Sequence, residues 1–254
     1  MDILQTLAAS TAQRYQGKKI VNIETRAFSC ALEGHPFKHA LKSDHLAVIA
    51  EVKKASPSKG VIATSFDPLA IAKEYETGGA SALSVLTEPT RFLGDDAYLA
   101  NIGEIVPLPL LRKDFIITAY QILESRILGA SAILLIAALL DHNTFSSFLS
   151  LTRSLGMDAL VEVHDEVEMD LALGAGATII GVNNRNLHTF SVNLETSLRL
   201  IHSIPSSVTA VSESGIRGRE DAILLKEAGF SAILVGEQLM RSDDRAQAVQ
   251  ELKV

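Results

Sequence analysis

Charged residues follow several short apolar runs in this chain, and the first such run ends with both a carboxylate and an amine. Glu51 and Lys53 are separated by one residue near the end of the run that starts at Leu46. Alternate residues of a β-strand point to the same face, so these two side chains would be neighbours. A neighbouring acid and amine can exchange protons with a bound substrate, which is general acid–base chemistry. An interior ion pair kept for packing is the structural alternative for this strand.

Four further apolar runs end in residues that could handle a polar ligand. They are Arg112-Lys113-Asp114-Phe115, Glu162-Val163-His164, Asn183-Asn184-Arg185-Asn186 and Glu213-Ser214-Gly215. Charged groups are costly in an apolar interior unless they are paired or used. Five strand ends of this kind therefore predict one site that binds a polar substrate.

Two glycine-containing turns predict the position of a phosphate group within that site. Ser214-Gly215 and Gly236-Glu237 follow the last two apolar runs. Glycine lets backbone N–H groups approach an anion closely, and a short helix after the turn adds its dipole. Taken alone, either glycine could belong to an ordinary turn. Ser56, Ser58 and Lys53 are further candidate donors, from the loop after the first run.

The cluster Glu162, His164 and Asp165 has residue types that can ligate a metal ion. A helix cap is the alternative, because Asp165 is followed three residues later by Glu168, as in a capping box. We favour the cap and expect no metal site.

The elements that must position these residues are predicted from eight short apolar runs. They span residues 46–51, 82–87, 110–113, 132–136, 159–163, 178–182, 208–213 and 232–236. Their nearly continuous apolar character is typical of parallel strands covered by helices. The segments between them have helical periodicity, as in 118–129, and several end in a glycine turn before the next run.

These patterns predict an α/β protein with the fold of a (β/α)8 TIM barrel. We expect one domain over residues 1–254, with eight βα units in 46–254 averaging about 26 residues each. Residues 1–45 would form an N-terminal helical extension that caps one end of the barrel, with a short helix after Pro36. A doubly wound open sheet is the alternative, but the glycine-rich turn that usually follows its first strand is absent.

Composition limits the possible partners and location. The 254 residues include 30 acidic and 23 basic side chains, so the chain lacks the positive field used in non-specific nucleic-acid binding. Cys30 has no second cysteine with which to form a disulfide. The N-terminal residues do not resemble a signal peptide, and the apolar stretch 132–140 is too short to cross a membrane. We therefore expect a cytoplasmic protein that binds neither nucleic acid nor a membrane.

Six motifs, in this order, resemble those of the indole-3-glycerol-phosphate synthase family of tryptophan biosynthesis. They are 48–58 (VIAEVKKASPS), 111–116 (LRKDFI), 161–163 (VEV), 181–187 (GVNNRNL), 212–216 (SESGI) and 235–237 (VGE). The resemblance implies a TIM-barrel carboxy-lyase acting on 1-(2-carboxyphenylamino)-1-deoxyribulose 5-phosphate. Ring closure, decarboxylation and dehydration would give indole-3-glycerol phosphate without a cofactor. We expect a monomer or a weakly associating homodimer.

The resemblance also implies roles for individual residues. Lys113 would be the general acid that protonates the ribulose carbonyl oxygen during ring closure. Lys53 and Glu162 would transfer protons in the later steps, while Glu51 and Glu213 position or tune the lysines. Asn183 and Arg185 would orient the substrate. The phosphate positions are Ser56, Ser214, Gly215, Gly236 and Glu237, and the walls around the aromatic ring are Phe92, Phe115, Leu134 and Leu187.

Three positions depart from the family pattern. The chain has Phe92-Leu93-Gly94-Asp95 where the family commonly has Phe-x-Gly-Ser. Gln238 stands where a small residue is common, and Asn186 where Asp is frequent. If Asp95 faces the substrate's phosphate or carboxylate, substrate binding should be weakened.

Two other functions agree with the same residues. A Schiff-base sugar-phosphate aldolase also uses interior lysines at strand ends. A non-catalytic barrel that binds a phosphorylated metabolite would bind ligand without turnover.

Overall fold

Eight parallel strands close into a barrel in the computed structural model, which describes residues 3–186 and 189–254. The strands are β1 (Ala47–Val52), β2 (Ala82–Leu86), β3 (Leu110–Lys113), β4 (Ala132–Ile136), β5 (Asp158–Val163), β6 (Ile179–Asn183), β7 (Thr209–Glu213) and β8 (Ala232–Val235). Each strand pairs with its neighbours in sequence, and β8 pairs with β1 to close the ring. Every predicted strand is present, with ends within one residue of those expected.

Helices follow the strands and cover the outside of the barrel. The three before β1 are α1 (Ile3–Arg14), α2 (Glu24–Ser29) and α3 (Pro36–Ala40). The later ones are α4 (Pro68–Thr77), α5 (Asp96–Ile105), α6 (Ala119–Ile127), α7 (His142–Ser154), α8 (Glu166–Gly174), α9 (Glu195–Leu200), α10 (Arg219–Ala228), α11 (Glu237–Arg241) and α12 (Arg245–Leu252). A two-stranded hairpin, Ala55–Ser56 with Gly60–Val61, follows β1.

Helix starts are fixed by side-chain caps that the sequence supplies. Thr118 and Gln121 form a capping box at the start of α6. The Asp165 carboxylate accepts the Glu168 N–H at 2.9 Å and caps α8, as predicted. No described helix combines the length and apolar character needed to cross a membrane.

Strand alternation divides the core into two layers. In β1, Ala47 and Ile49 belong to the cluster inside the barrel, whereas Val48 and Ala50 pack against the surrounding helices. The same alternation points Glu51 into the barrel, where the sequence predicted it.

The extension contacts both ends of the barrel, so the prediction that it caps one end was only half right. Leu4 and Leu7 of α1 lie at the carboxyl ends of the strands, where they line the main cavity. At the opposite end, the Lys38 N–H of α3 donates to Asp158 Oδ2 at 2.8 Å. Asp158 is the first residue of β5, and its Oδ1 also lies 3.2 Å from His35 Nδ1.

Arg112 faces the helices, because alternation turns it away from the interior that Lys113 enters. Its side chain is fully buried and donates to the Asp96 carboxylate at 2.6 Å and to Glu124 at 3.1 Å. It also donates to the Tyr15 hydroxyl, at 3.0 Å, just beyond α1. The guanidinium therefore ties the extension to β3.

Replacing Arg112 with Met should lower the free energy of unfolding by about 3 kcal/mol or more, since it leaves partly buried carboxylates without their cation. Urea denaturation would measure the change. The matched control is Arg199→Met, which breaks the exposed pair with Glu166 and should cost less than about 1 kcal/mol. Equal effects of the two variants would contradict this assignment.

Candidate functional site

The main cavity lies at the carboxyl ends of the barrel strands and has a volume of about 630 Å³. This size suits a small organic ligand. Every predicted site residue in the described part of the chain lines it: Glu51, Lys53, Ser56, Phe92, Lys113, Phe115, Leu134, Glu162, Asn183, Arg185, Glu213, Ser214, Gly215, Gly236 and Glu237. Leu187 lies outside the described residues.

Lys113 stands between two carboxylates inside the cavity. Its Nζ lies 2.6 Å from Glu213 Oε2 and 3.1 Å from Glu162 Oε2. Burial alone would lower the pKa of Lys113, but Glu213, Glu162 and Glu51 together raise it above its usual value. The amine is therefore held as an ammonium, which can donate a proton but is a poor nucleophile.

The two carboxyl groups that share Lys113 have pKa values shifted in opposite directions. Burial raises the pKa of Glu213 to about 7; the Lys113 ammonium opposes the rise and the Glu162 charge adds to it. Burial also acts on Glu162, but Lys113, His164 and a hydrogen bond from Asn183 bring its pKa below the usual range. Glu162 is thus the ionised member of the pair, and Glu213 the one that retains a proton more easily.

Gly181 gives the Glu213 side chain room to reach Lys113. Glu213 Oε2 contacts Lys113 from the opposite side of the ring, while its Oε1 lies against Gly181 on β6. A Cβ at Gly181 would overlap Glu213 Oε1 and lie 3.1 Å from Leu160 Cδ1. Glycine is therefore required on this strand for a steric reason.

A second acid–amine pair lies at the end of β1. The Lys53 ammonium contacts Glu51 Oε1, as the sequence spacing predicted. The other oxygen, Oε2, lies 3.5 Å from the Ser84 hydroxyl. A Cβ at Gly236 would overlap Glu51 Oε1, so this glycine also leaves space for a charged side chain.

The turn after β7, where the sequence predicted a phosphate position, has an unusual backbone conformation. Ser214 and Gly215 both have positive φ, at 68° and 84°. A non-glycine residue rarely adopts this conformation, and here Asn184 stabilises it. The Asn184 amide donates to the Ser214 carbonyl at 3.1 Å and to the Glu213 carbonyl at 3.0 Å.

Three cations near this turn were not among the sequence-based site residues. Lys59, Arg217 and Arg241 all line the cavity. Glu237 lies between two of them, since its Oε1 accepts from Arg241 Nε at 3.1 Å and lies 3.7 Å from Lys59 Nζ. Lys59 and Arg241 therefore offset the Glu237 charge beside the predicted phosphate positions. The sequence motifs gave no signal for them.

Apolar side chains form the other end of the cavity. The rings of Phe92 and Phe115 are 6.2 Å apart at a tilt of 44°. Leu4 and Leu7 extend this wall, although the sequence pattern identified them only as helix core positions. Arg185 also lines the cavity, and its Nη1 donates to the Phe190 carbonyl at 3.3 Å. The cavity thus has an apolar end and a cationic end.

The cluster weighed as a metal site is organised differently. Within residues 3–186 and 189–254, no group of three or more His, Cys, Asp and Glu residues is arranged to hold a metal ion. Asp165 caps α8, and Glu162 contacts Lys113.

The three residues that depart from the family pattern, Asp95, Gln238 and Asn186, have different surroundings in the structure. Asp95 does not line the described cavity; its carboxylate accepts the Ala97 N–H at 2.9 Å and caps α5. The condition for weakened substrate binding, that Asp95 faces the substrate, is therefore not met in the described structure, where the carboxylate caps a helix as the family's Ser could. Gln238 lines the cavity, and Asn186 Oδ1 accepts the Thr189 N–H at 2.9 Å.

Replacing Asp95 with Ser should leave KM for the substrate unchanged within about twofold, because one cap replaces another. Asp95→Ala removes the cap and should lower the free energy of unfolding by about 1 kcal/mol. Steady-state kinetics and urea denaturation would measure the two effects. A several-fold fall in KM for Asp95→Ser would show that the carboxylate does act on the substrate.

The chain is similar in sequence to proteins of one named family. The family model described as indole-3-glycerol phosphate synthase matches residues 2–252. A relative with that name from Ruminiclostridium cellulolyticum is 46% identical over 256 residues, covering 99% of this chain and 98% of the relative. Another from Sulfurimonas denitrificans is 54% identical over 214 residues, covering 84% of this chain and 81% of the relative.

Solved structures with low sequence identity share the fold. The 3-hexulose-6-phosphate synthase from Salmonella typhimurium has a TM-score of 0.67 at 13% identity, covering 82% of this chain and 96% of that one. The N-acetylmannosamine-6-phosphate 2-epimerase from Clostridium perfringens has a TM-score of 0.59 at 15% identity, covering 76% and 86%. These similarities establish the barrel architecture and nothing about the reaction.

Proposed function

Because the chain belongs to the indole-3-glycerol-phosphate synthase family, a family of carboxy-lyases in tryptophan biosynthesis, we propose that its cavity makes indole-3-glycerol phosphate. The substrate would be 1-(2-carboxyphenylamino)-1-deoxyribulose 5-phosphate, and carbon dioxide and water would leave. The observation that carries this proposal is the Lys113 ammonium held between Glu162 and Glu213, at 3.1 and 2.6 Å. It is a positioned acid in a cavity of suitable size.

Ring closure needs an acid at the ribulose carbonyl oxygen. As the aryl carbon that bears the carboxylate attacks the carbonyl carbon, negative charge develops on the oxygen. Lys113 would transfer its proton there, which yields a hydroxyl group. The cationic ring intermediate then loses carbon dioxide, and the electron pair of the broken bond neutralises the ring.

Dehydration needs an acid at the new hydroxyl group and a base for the proton lost from the ring system. We assign proton transfer in this step to Lys53 and Glu162. The structure supports both assignments, since Lys53 is paired with Glu51 as an ammonium donor and the pKa of Glu162 is lowered, which favours the carboxylate. Glu213 and Glu51 would tune the two lysines.

The two ends of the cavity suit the two ends of this substrate. Its phosphate would bind near Ser56, Ser214, Gly215, Gly236 and Glu237, with the cations Lys59, Arg217 and Arg241 close by. Its carboxyphenyl ring would lie among Phe92, Phe115 and Leu134. Arg185 and Asn183 would orient the carboxylate, for which a guanidinium has suitable geometry.

A Schiff-base aldolase is less compatible with these contacts. Imine formation requires a neutral amine, and burial next to other cations is the usual way to obtain one. Lys113 has the opposite environment, with two carboxylates within 3.1 Å. Borohydride added with substrate should therefore leave no covalent adduct on Lys113 or Lys53, whereas an aldolase would be trapped.

The direct test is to incubate the purified protein with the carboxyphenylamino-deoxyribulose phosphate and follow indole absorbance and carbon dioxide release. Turnover with and without chelator supports the proposal. Binding without turnover would favour the non-catalytic barrel instead. The cytoplasmic location, the single-domain organisation and the monomer or weak dimer stay predictions.

Lys113→Met should lower kcat by about 10²-fold or more, because the positioned acid is lost while an apolar chain of similar length fills its place. Steady-state kinetics would measure it, with circular dichroism to check the fold. Lys73→Met is the matched control, since that exposed lysine pairs only with Glu76 in the described structure and should leave kcat unchanged. A loss below about fivefold for Lys113→Met would move the acid role elsewhere.

A further inference from the structure

His164 lies next to the cavity but has no part in the chemistry assigned above. It follows β5, two residues after Glu162. The Glu168 carboxylate of α8 accepts both from the His164 N–H at 2.8 Å and from its ring Nδ1 at 2.9 Å. A carboxylate only accepts, so Nδ1 carries a proton. Glu168 thus fixes the ring's orientation and its tautomer.

The other ring nitrogen faces the catalytic carboxylate. His164 Nε2 is buried and has no hydrogen-bond partner among the described residues, but it lies 3.5 Å from Glu162 Oε1, which is within ion-pair distance. A lone pair on Nε2 facing a carboxylate oxygen in a buried setting would be repulsive. A proton on Nε2 instead makes this contact an attraction between an imidazolium and a carboxylate.

The surrounding charges place that proton on the imidazole. The charged groups that shift the pKa of His164 are Glu162 on β5, Glu168 on α8 and Glu213 on β7, and all three are acidic. The Lys113 ammonium on β3 contacts the other oxygen of Glu162, Oε2. Burial opposes the charged ring, but the hydrogen bond to Glu168 and the three acidic charges raise the pKa of His164 above its usual value. An imidazolium next to an ionised Glu162 follows.

We propose that His164, fixed by Glu168, is a positioning residue that holds the Glu162 carboxylate ionised and oriented toward Lys113. Glu162 then has a cation at each oxygen, His164 at Oε1 and Lys113 at Oε2. This arrangement keeps its carboxylate from rotating and makes it ready to accept a proton. The proposal rests on the proposed function for the role of Glu162, although the pairing itself does not depend on it.

The pairing can be tested without measuring activity. NMR titration of the His164 ring should give a midpoint above the ordinary value of 6.5, with His164→Asn used for assignment. Glu162→Gln and Glu168→Gln keep the shapes but remove the charges, and each should lower that midpoint by at least about 0.5 pH unit. His202→Gln is the matched control on an exposed histidine and should not shift it. A midpoint at or below 6.5, or no shift in Glu162→Gln, would overturn the proposal.

The effect on catalysis separates positioning from a structural role. Without the imidazolium, the Glu162 pKa rises, so the acidic limb of kcat/KM should move to higher pH by about 0.5 to 1 unit in His164→Gln and His164→Asn. Gln can still donate to Glu162 from the Nε2 position, whereas the shorter Asn cannot. We expect His164→Asn to lose about tenfold in kcat, His164→Gln to recover part of it, and KM to change less than about threefold.

The two readouts distinguish the two proposals. An unmoved acidic limb in both variants, or a loss confined to KM, would overturn the role of His164. If His164→Asn does not fold, Glu168→Gln keeps the His164 ring and tests the same shift of the acidic limb of kcat/KM. No turnover by the unmodified protein would overturn the proposed function, while the NMR shifts would still decide whether His164 and Glu162 are coupled.

Discussion

The ammonium of Lys113 lies between two buried carboxylates, and this contact imposes demands on the rest of the barrel. A buried charge is stable only when partners of opposite charge are fixed around it. Here Glu162 and Glu213 supply the partners from two other strands, with Glu51 adding to the field. Glu51, Lys113, Glu162 and Glu213 all come from odd-numbered strands, as do the side chains of one interior layer in a barrel of this type.

The fold meets these demands with steric and electrostatic support around the layer. Gly181 on β6 leaves the space that Glu213 Oε1 occupies, and Gly236 does the same for Glu51 Oε1. Asn184 holds the turn after Glu213 through two backbone carbonyls. On the outer face of β3, Arg112 joins the same strand to the N-terminal extension. Gly181, Asn184 and Arg112 therefore support the ion cluster although they do not line the cavity.

Sequence reasoning succeeded where a pattern is repeated or local. Strand positions followed from apolar runs. Alternation along β1 correctly paired Glu51 with Lys53, because residues two apart in an extended segment point to the same face whatever the rest of the chain does. It failed where placement depends on distant parts of the chain. Leu4 and Leu7 look like any helix core, and only the folded chain places them in the wall of the cavity. Asp95 was considered as a possible substrate contact, since a sequence does not show that a helix start takes its carboxylate.

The central claim is that Lys113 is an ammonium fixed by two carboxylates, and its charge state can be measured directly. NMR of the protein labelled with ¹⁵N at lysine Nζ, with Lys113→Met for assignment, would follow this group as pH rises. The account predicts an ammonium signal that persists beyond pH 10.5, the ordinary pKa of lysine, because Glu213 and Glu162 stabilise the charge. Conversion to a neutral amine near neutral pH would contradict it.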